Sequence, residues 1–570
     1  MSRRRLIAMA ATALCAGLGR PAGASTLCTA GLRTDCRAAG RSPLVIRRAR
    51  DGARATLSWD WSKGAATTRA DFGAPSETTA YGLCVYAGTS AAAIGEADVA
   101  PSARRWRAEG AHGFRYRARA ARAGGVRAML LRAGRAGKAK VEVRGAVLDG
   151  LPAGPLPLPV TVQLINGTTG ACFEAVYDAS VARRNDPQRF EAARHARWVG
   201  TWSASPVCFE AATLLGLPKT IRFDDQSVRM IVHASLGGGL VRVRLTNLCG
   251  SDPLVIGAAT IGIREADASV RADTVRSLAF LGRPSVAVAP GSTITSDPVA
   301  VELPPLGDAT ITLYLPDPTV PTTSHPQAAT GYLSGTGDFT GSSDGVPFAT
   351  KIRQWVFLDS LDVLAPGDAS AVVAFGDSII DGAGSTYDAN TRWPDFLARR
   401  LVAANERLGV LNQGINGNKV LNTLLGDSAL SRFDRDVLGQ AAVKYVVLLE
   451  GVNDIGLGHP DVTADDVIAG YRTLAARAHD AGLKIFGGTL TPAKDNVYPF
   501  YAPYDESKRQ AINQFIREGS AFDAFIDFDA AVRDPADPAH WKPGYSVDGL
   551  HPDDAGAAAM GDAVDLSLFH

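Results

Sequence analysis

The run Ala371-Val372-Val373-Ala374-Phe375 ends abruptly at Gly376-Asp377-Ser378. A short apolar run of strand formers closed by turn residues reads as a buried strand. Such a strand belongs to a parallel sheet with both faces covered, so helices have to follow it in the chain. Ser378 would stand just past its carboxyl end, where open α/β sheets carry their chemistry. The backbone N–H groups of the next helical turn lack intrahelical partners and can face a developing negative charge. Taken alone, a Gly-Asp-Ser turn before a helix is more often only a cap.

The residues after 371 supply that cover. Apolar runs at 445–449 and 484–488 alternate with helical stretches at 463–481, 506–518 and 553–568. Thr463 with Asp466 forms a capping-box pattern with Asp in place of Glu, and Gly482 is a stop signal. Strand–helix alternation predicts a parallel sheet flanked by helices.

Residues before 371 read differently. Short runs such as 44–46, 55–59, 81–86, 141–147 and 160–165 alternate with turns, and none is convincingly helical. Residues 25–185 are expected to form a β-sandwich-like module of their own, and 186–368 a second β-rich region of sandwich or jelly-roll type. Residues 183–197 read as a polar linker or short helix. The runs 228–233 and 240–245 flank Gly237-Gly238-Gly239, which predicts a hairpin. The last domain is expected at 369–570.

The first residues are a targeting segment. Ser2-Arg3-Arg4-Arg5 precedes an apolar run at 6–18, and Ala22-Gly23-Ala24 suits cleavage before Ser25. Residues 1–24 are thus expected to be a signal peptide, of general secretory or twin-arginine type. The apolar run is too short to span a bilayer, and no later stretch reads as an integral membrane segment. Leu14 before Cys15 is too bulky for a lipoprotein signal. Export leaves six cysteines: Cys28, Cys36, Cys84, Cys172, Cys208 and Cys249. An even number in an exported chain favours disulfides, with fifteen pairings open in principle. The split of four in the first region and two in the second predicts Cys28–Cys36, Cys84–Cys172 and Cys208–Cys249. No Cys-x-x-Cys pattern occurs, so no metal site is expected.

The formal net charge is +1, which gives no case for a nucleic-acid partner, but it hides a split. Residues 25–185 hold 24 Lys and Arg against 12 Asp and Glu. The module is strongly basic and the remainder acidic. The basic module either docks on the acidic part, keeps the protein soluble, or holds it on an anionic surface.

Three more clusters fall at strand ends of the last region: Asn412-Gln413-Gly414-Ile415-Asn416-Gly417-Asn418, Glu450-Gly451-Val452-Asn453-Asp454, and Asp548-Gly549-Leu550-His551. Each alone consists of ordinary turn residues. Together they fit ester cleavage, which needs a nucleophile, a base, an orienting acid and oxyanion donors. Ser378 supplies the hydroxyl, His551 the base and Asp548 the acid. Gly417 offers a backbone N–H and Asn453 a side-chain amide.

These four blocks, in this order, resemble the SGNH hydrolases, the GDSL-type esterases and lipases. The resemblance covers roughly 370–570. The β region before it is similar to the accessory part of a bacterial subgroup with xylan-esterase-like members, and 25–185 resembles an uncharacterised extracellular β module. The resemblance implies a flavodoxin-like α/β/α three-layer fold and carboxylic-ester hydrolysis without metal or cofactor. It implies Ser378, His551 and Asp548 as the triad, and Ser378, Gly417 and Asn453 as the oxyanion hole. Asp377, Asn412, Gly414, Asn418, Gly451 and Asp454 would hold the loops. Short-acyl carbohydrate esters, such as O-acetylated polysaccharide, are the first expectation for substrate. Lipid esters come second, and a binding or adhesion protein with a vestigial hydrolase domain third.

Three further motifs carry less. Gly341-Ser342-Ser343-Asp344-Gly345 has the G-x-S-x-G spacing of another hydrolase class, but no strand precedes it and no helix follows. His325 reads as an exposed loop histidine, with a place at the border of the active site as the alternative. Asn166-Gly167-Thr168 is a formal glycosylation sequon to which no function attaches.

Overall fold

The computed structural model describes residues 27–570 apart from 30, 50–53, 122–123, 136, 149–150, 209–220, 458–460 and 499–504. The expected signal peptide at 1–24 lies outside the described residues.

Five parallel strands form the sheet of the C-terminal domain: β1 (Ser370–Gly376), β2 (Leu408–Gly414), β3 (Val443–Leu449), β4 (Lys484–Gly488) and β5 (Ala524–Ile526). Their order is β2-β1-β3-β4-β5. All seven residues of β1 are buried, as its unbroken apolar composition demands. The helices are α1 (Ser378–Asp381), α2 (Trp393–Ala403), α3 (Ala429–Phe433), α4 (Val452–Gly456), α5 (Ala464–Asp480), α6 (Glu506–Glu518), α7 (Phe528–Val532) and α8 (Asp554–Ala563). Helix α2 packs on α8, and α5 on α6. Thr463 caps α5 with the expected reciprocal bonds to Asp466.

A large β-rich region precedes this domain. One antiparallel sheet of the first core runs from 182–185 through 189–192, 44–48, 55–64, 139–148, 128–132 and 113–117 to 106–108. Residues 183–197 are therefore neither linker nor helix. Phe190 and Ala192 alternate with half-exposed Arg189 and Glu191, the period of a half-buried strand, and they join the first core.

The opposing sheet is shared between the two β regions. It has ten strands and passes from 95–99, 81–87, 160–166 and 172–177 into 196–203, 358–366 and 238–246. The junction is narrow, resting on the pair Val176 and Ala196. Val176, Ala196, Trp198 and Leu364 form an apolar cluster across it.

The predicted hairpin at Gly237–Gly239 does not form. Strand Gln226–His233 pairs with Asp308–Leu315 and Thr323–Thr336 in one sheet, whereas Gly238–Thr246 pairs with Leu358–Pro366 in the other. The glycines carry the chain between sheets, where a Cβ at 237 would meet the Leu303 carbonyl at 2.7 Å. Each strand gains a long partner elsewhere, and that pairing outweighs the short turn.

Cys208–Cys249 pairs as expected, but the other two bonds differ from expectation. The bonds are Cys28–Cys84, Cys36–Cys172 and Cys208–Cys249. Cys84 and Cys172 lie on strands separated by the strand Val160–Asn166, so they do not meet as neighbours. The N-terminal segment lies over this sheet instead, with Arg37–Ala38 pairing alongside Cys172–Tyr177. Each early cysteine therefore staples that segment to a different strand.

Peptide mapping under non-reducing conditions should recover Cys28–Cys84 and Cys36–Cys172 as cross-linked peptides. Cys172→Ser should lower stability by about 2–5 kcal/mol, because the loop it closes is long. Recovery of a Cys28–Cys36 peptide would contradict this topology.

Candidate active site

Strand β1 delivers Ser378 to the sheet's carboxyl edge. Gly376 is required there: a Cβ would sit 1.8 Å from the Leu449 carbonyl of β3. Asp377 caps the next turn, its Oδ1 accepting from Ile379 N at 3.0 Å. Ser378 then opens α1 and is buried.

His551 comes from the loop before α8. Its Nε2 lies 2.9 Å from Ser378 Oγ, and its Nδ1 lies 2.7 Å from Asp548 Oδ2. Asp548 also accepts backbone N–H bonds from Leu550 and His551 through Oδ1, at 2.9 and 2.7 Å. Burial raises the Asp548 carboxyl, but the bonds and charge of His551 outweigh it and hold the group well below the usual carboxylate range. An ionised acid fixed on the imidazole leaves Nε2 directed at the hydroxyl. That arrangement can activate an alcohol nucleophile.

The other two blocks converge on the same edge. Asn412 donates to the Ile380 carbonyl at 2.6 Å and accepts from Gly414 N at 2.9 Å, tying β2 to α1. Gly417 has φ of 70°, in the left-handed region that glycine enters most readily. Asn418 Nδ2 donates to the carbonyls of Leu425 and Asp427 at 3.1 and 2.9 Å. Asn453 Nδ2 donates to the Asn418 carbonyl at 2.8 Å. Gly451, with φ of 124°, starts α4. Asp454 receives Val420 N and Leu421 N at 2.8 and 3.1 Å, closing the loop after β2.

Several residues escaped the sequence reading. Tyr498 donates to Asp548 Oδ2 at 2.9 Å and stands edge-on to the His551 ring. His325 is buried on the strand Thr323–Thr336, not exposed on a loop. Its Nδ1 meets the Ser205 carbonyl at 2.8 Å and its Nε2 meets Asp381 Oδ1 at 3.0 Å. Burial lowers its pKa, but the charge and hydrogen bond of Asp381 outweigh that and raise it above the ordinary histidine value. No local signal marks either residue, because both partners lie far along the chain. Ser343 lies in a loop of the accessory region, as its surroundings predict.

Arg432 on α3 is fully buried and reaches every part of the site's foundation. It donates to the carbonyls of Gly376 and Gln413 at 2.7 and 2.8 Å, to Asn418 Oδ1 at 3.0 Å and to Ser205 Oγ at 3.0 Å. A lone charged residue in the Ala429–Phe433 turn was the one available clue. Glu450 lies 3.6 Å from it, and neither Glu450 oxygen has a hydrogen-bond partner among the described residues. Burial, with Asp377 nearby, pushes Glu450 well above the usual range. Burial pushes Asp377 up to about 7 and Asp454 up to about 6.

A cavity of about 190 Å³ opens beside the triad, lined by His551, Asp548, Tyr498, Asn416, Arg392 and the loop from Asp381 to Tyr387. Among the described residues, no cluster of three His, Cys, Asp or Glu side chains could hold a metal ion. No helix among them is long and apolar enough to cross a membrane.

The raised carboxyls give stability a defined pH dependence. Between its ordinary value of 3.8 and about 7, folded Asp377 keeps a proton that the unfolded chain has lost. This stabilisation is complete below about pH 4 and drains away as pH rises towards 7. Glu450 acts in the same direction. The thermal midpoint should therefore fall between about pH 5 and about pH 8, and Glu450→Gln should flatten that fall. An identical slope in wild type and variant would show that Glu450 holds no such proton.

The GDSL-like Lipase/Acylhydrolase family profile matches residues 374–559. No curated protein matches the chain. Solved structures similar to part of it include a lipolytic protein of the G-D-S-L family from Desulfitobacterium hafniense, at 18% identity and TM-score 0.27, covering 34% of this chain and 97% of that one. A GDSL-like lipase from Bacteroides thetaiotaomicron has 20% identity and TM-score 0.28, over 35% of this chain and 88% of its own. A carbohydrate acetylesterase from Sinorhizobium meliloti has 14% identity and TM-score 0.30, over 35% and 100%. Residues 374–559 are a GDSL-like lipase/acylhydrolase domain, and the protein that carries it is a carboxylic-ester hydrolase.

Proposed function

We propose that the protein is an exported serine esterase that removes short acyl groups, acetyl above all, from carbohydrate. The observation that carries the mechanism is the continuous relay from Asp548 through His551 to Ser378, at 2.7 and 2.9 Å. Ser378 attacks the acyl carbonyl while His551 takes its proton. Asp548 fixes the imidazole tautomer and stabilises the imidazolium. The N–H groups of Ser378 and Gly417 and the amide of Asn453 bind the oxyanion. Protonation of the leaving alcohol by His551 gives an acyl-serine, and water releases the acid by the same steps. No residue in this sequence of steps requires a cofactor.

The small cavity, bordered by Arg392, Asn416 and Asp548, favours a short acyl chain and a polar alcohol over a long fatty chain. The three disulfides support an oxidising compartment, hence export. The strand order and the helix pairs α2–α8 and α5–α6 support an α/β/α layering of the catalytic domain, with the β-rich residues before 369 as an accessory region.

The first module's partner is an anionic surface in this reading. Arg115, Arg117 and Arg144 share the outer face of one sheet and line a shallow depression there. Part of their charge is spent on Glu109 and Asp60. Replacing the three arginines by Glu should abolish low-salt retention on an anionic polymer while ester turnover stays unchanged. Equal retention of both proteins would sink this part of the proposal.

The catalytic assignment is tested by substitution. Ser378→Ala should fold normally and lose on the order of 10⁴–10⁶ in kcat towards p-nitrophenyl acetate. Ser343→Ala should change turnover little. A chain-length series should favour acetate over longer acyl groups; preference for long chains would turn the reading towards lipid esters.

A further inference from the structure

We propose that loop 382–391, braced by the accessory β region, builds a sugar-binding subsite for the alcohol half of the substrate, with Tyr387 as its stacking platform. This rests on the carbohydrate-ester reading above.

The loop leaves α1 directly after the nucleophile and forms one wall of the cavity that His551 and Asp548 also line. Tyr387 sits on that wall and is 46% exposed, a large ring left partly bare beside a catalytic centre. Its ring is held by Arg353, whose guanidinium carbon lies 3.9 Å from the ring centroid. Arg353 belongs to the strand Thr350–Val356 of the accessory region. An aromatic ring fixed in orientation and open to solvent offers an apolar plane to the C–H face of a pyranose.

The loop is pinned from both sides. Asp388 accepts from Thr330 N and Thr330 Oγ1 of the accessory region, at 2.7 and 2.6 Å. On the catalytic side, Asp554 Oδ1 at the start of α8 accepts from Thr386 N and Thr391 Oγ1, at 2.9 and 2.6 Å. Such a wall is ordered before substrate arrives, so binding loses little conformational freedom. Ser385 Oγ lines the same cavity and is buried with no hydrogen-bond partner among the described residues. A buried hydroxyl in that state costs free energy, and a substrate hydroxyl would satisfy it. An aromatic plane beside an unsatisfied hydroxyl is chemistry suited to a sugar ring. A fatty alcohol would use neither feature.

The test compares two acetate esters on the full-length enzyme. One is an O-acetylated xylo-oligosaccharide; the other is ethyl acetate, whose alcohol has no ring to stack. Tyr387→Ala should raise KM for the oligosaccharide about tenfold and leave kcat/KM for ethyl acetate within about twofold. Tyr387→Phe should behave as wild type, because the plane and not the hydroxyl does the binding. Unchanged KM for the oligosaccharide in Tyr387→Ala, or equal losses on both esters, would overturn the subsite alone. Wild-type enzyme that cleaves ethyl acetate but no acetylated oligosaccharide would overturn the carbohydrate reading, and the subsite with it.

Discussion

One buried guanidinium holds the catalytic edge together. Arg432 is fully enclosed and spends its donors on the last carbonyl of β1, a carbonyl near the end of β2, the Asn418 side chain, Asp436 and Ser205 of the accessory region. Its plane also stacks against Phe375 at 4.1 Å. Burying a charge this deeply is costly unless nearly every donor is used. Here they are used on groups that must keep fixed positions: the strand end before Ser378, the loop carrying Gly417, and the neighbouring β region. A lysine could not reach so many partners, since only the planar fork presents five donors in fixed directions.

The accessory region takes part in this foundation and does not merely hang from it. Strand Ala196–Ser203 crosses β2, the open edge of the catalytic sheet, with Gly200 N donating to the Ala441 carbonyl. Ser235 Oγ accepts from Val410 N on that edge at 2.8 Å. Val199 and Ala365 enter the catalytic domain's own core. Gly409 is needed for the approach, since a Cβ there would sit 1.9 Å from the Gly200 carbonyl. Covering an edge strand also blocks its pairing with other chains. The contact of His325 Nε2 with Asp381 Oδ1 adds a directional tie from the accessory sheet to α1, three residues past Ser378.

What the sequence made legible was what depends on near neighbours. Helices α5 and α6 fall where their caps and periodicity put them, because Thr463, Asp466 and the apolar stripe act within a few residues. The four candidate blocks were readable because each packs turn-forming and polar residues into a few consecutive positions, three of them directly after a strand and the fourth in the loop before α8. The relay between Ser378 and His551, 173 residues apart, came from the family resemblance and from chemistry together. What failed depends on remote packing. Gly237-Gly238-Gly239 has the composition of a hairpin, but each flanking strand finds its partners far away in the chain. Cys28 and Cys36 are near in sequence, yet each bonds to a strand that only the completed sheet brings close. His325 was read on a loop and Arg432 was passed over, since most of their partners lie in other elements.

The central claim is that Ser378 is the one nucleophile of this chain. Active-site labelling with a fluorophosphonate, followed by peptide mass spectrometry, tests it most directly. A single adduct on the peptide containing Ser378, lost when His551 is replaced by Ala, is the predicted result. An adduct on Ser343, or undiminished labelling in the His551→Ala variant, would contradict the account.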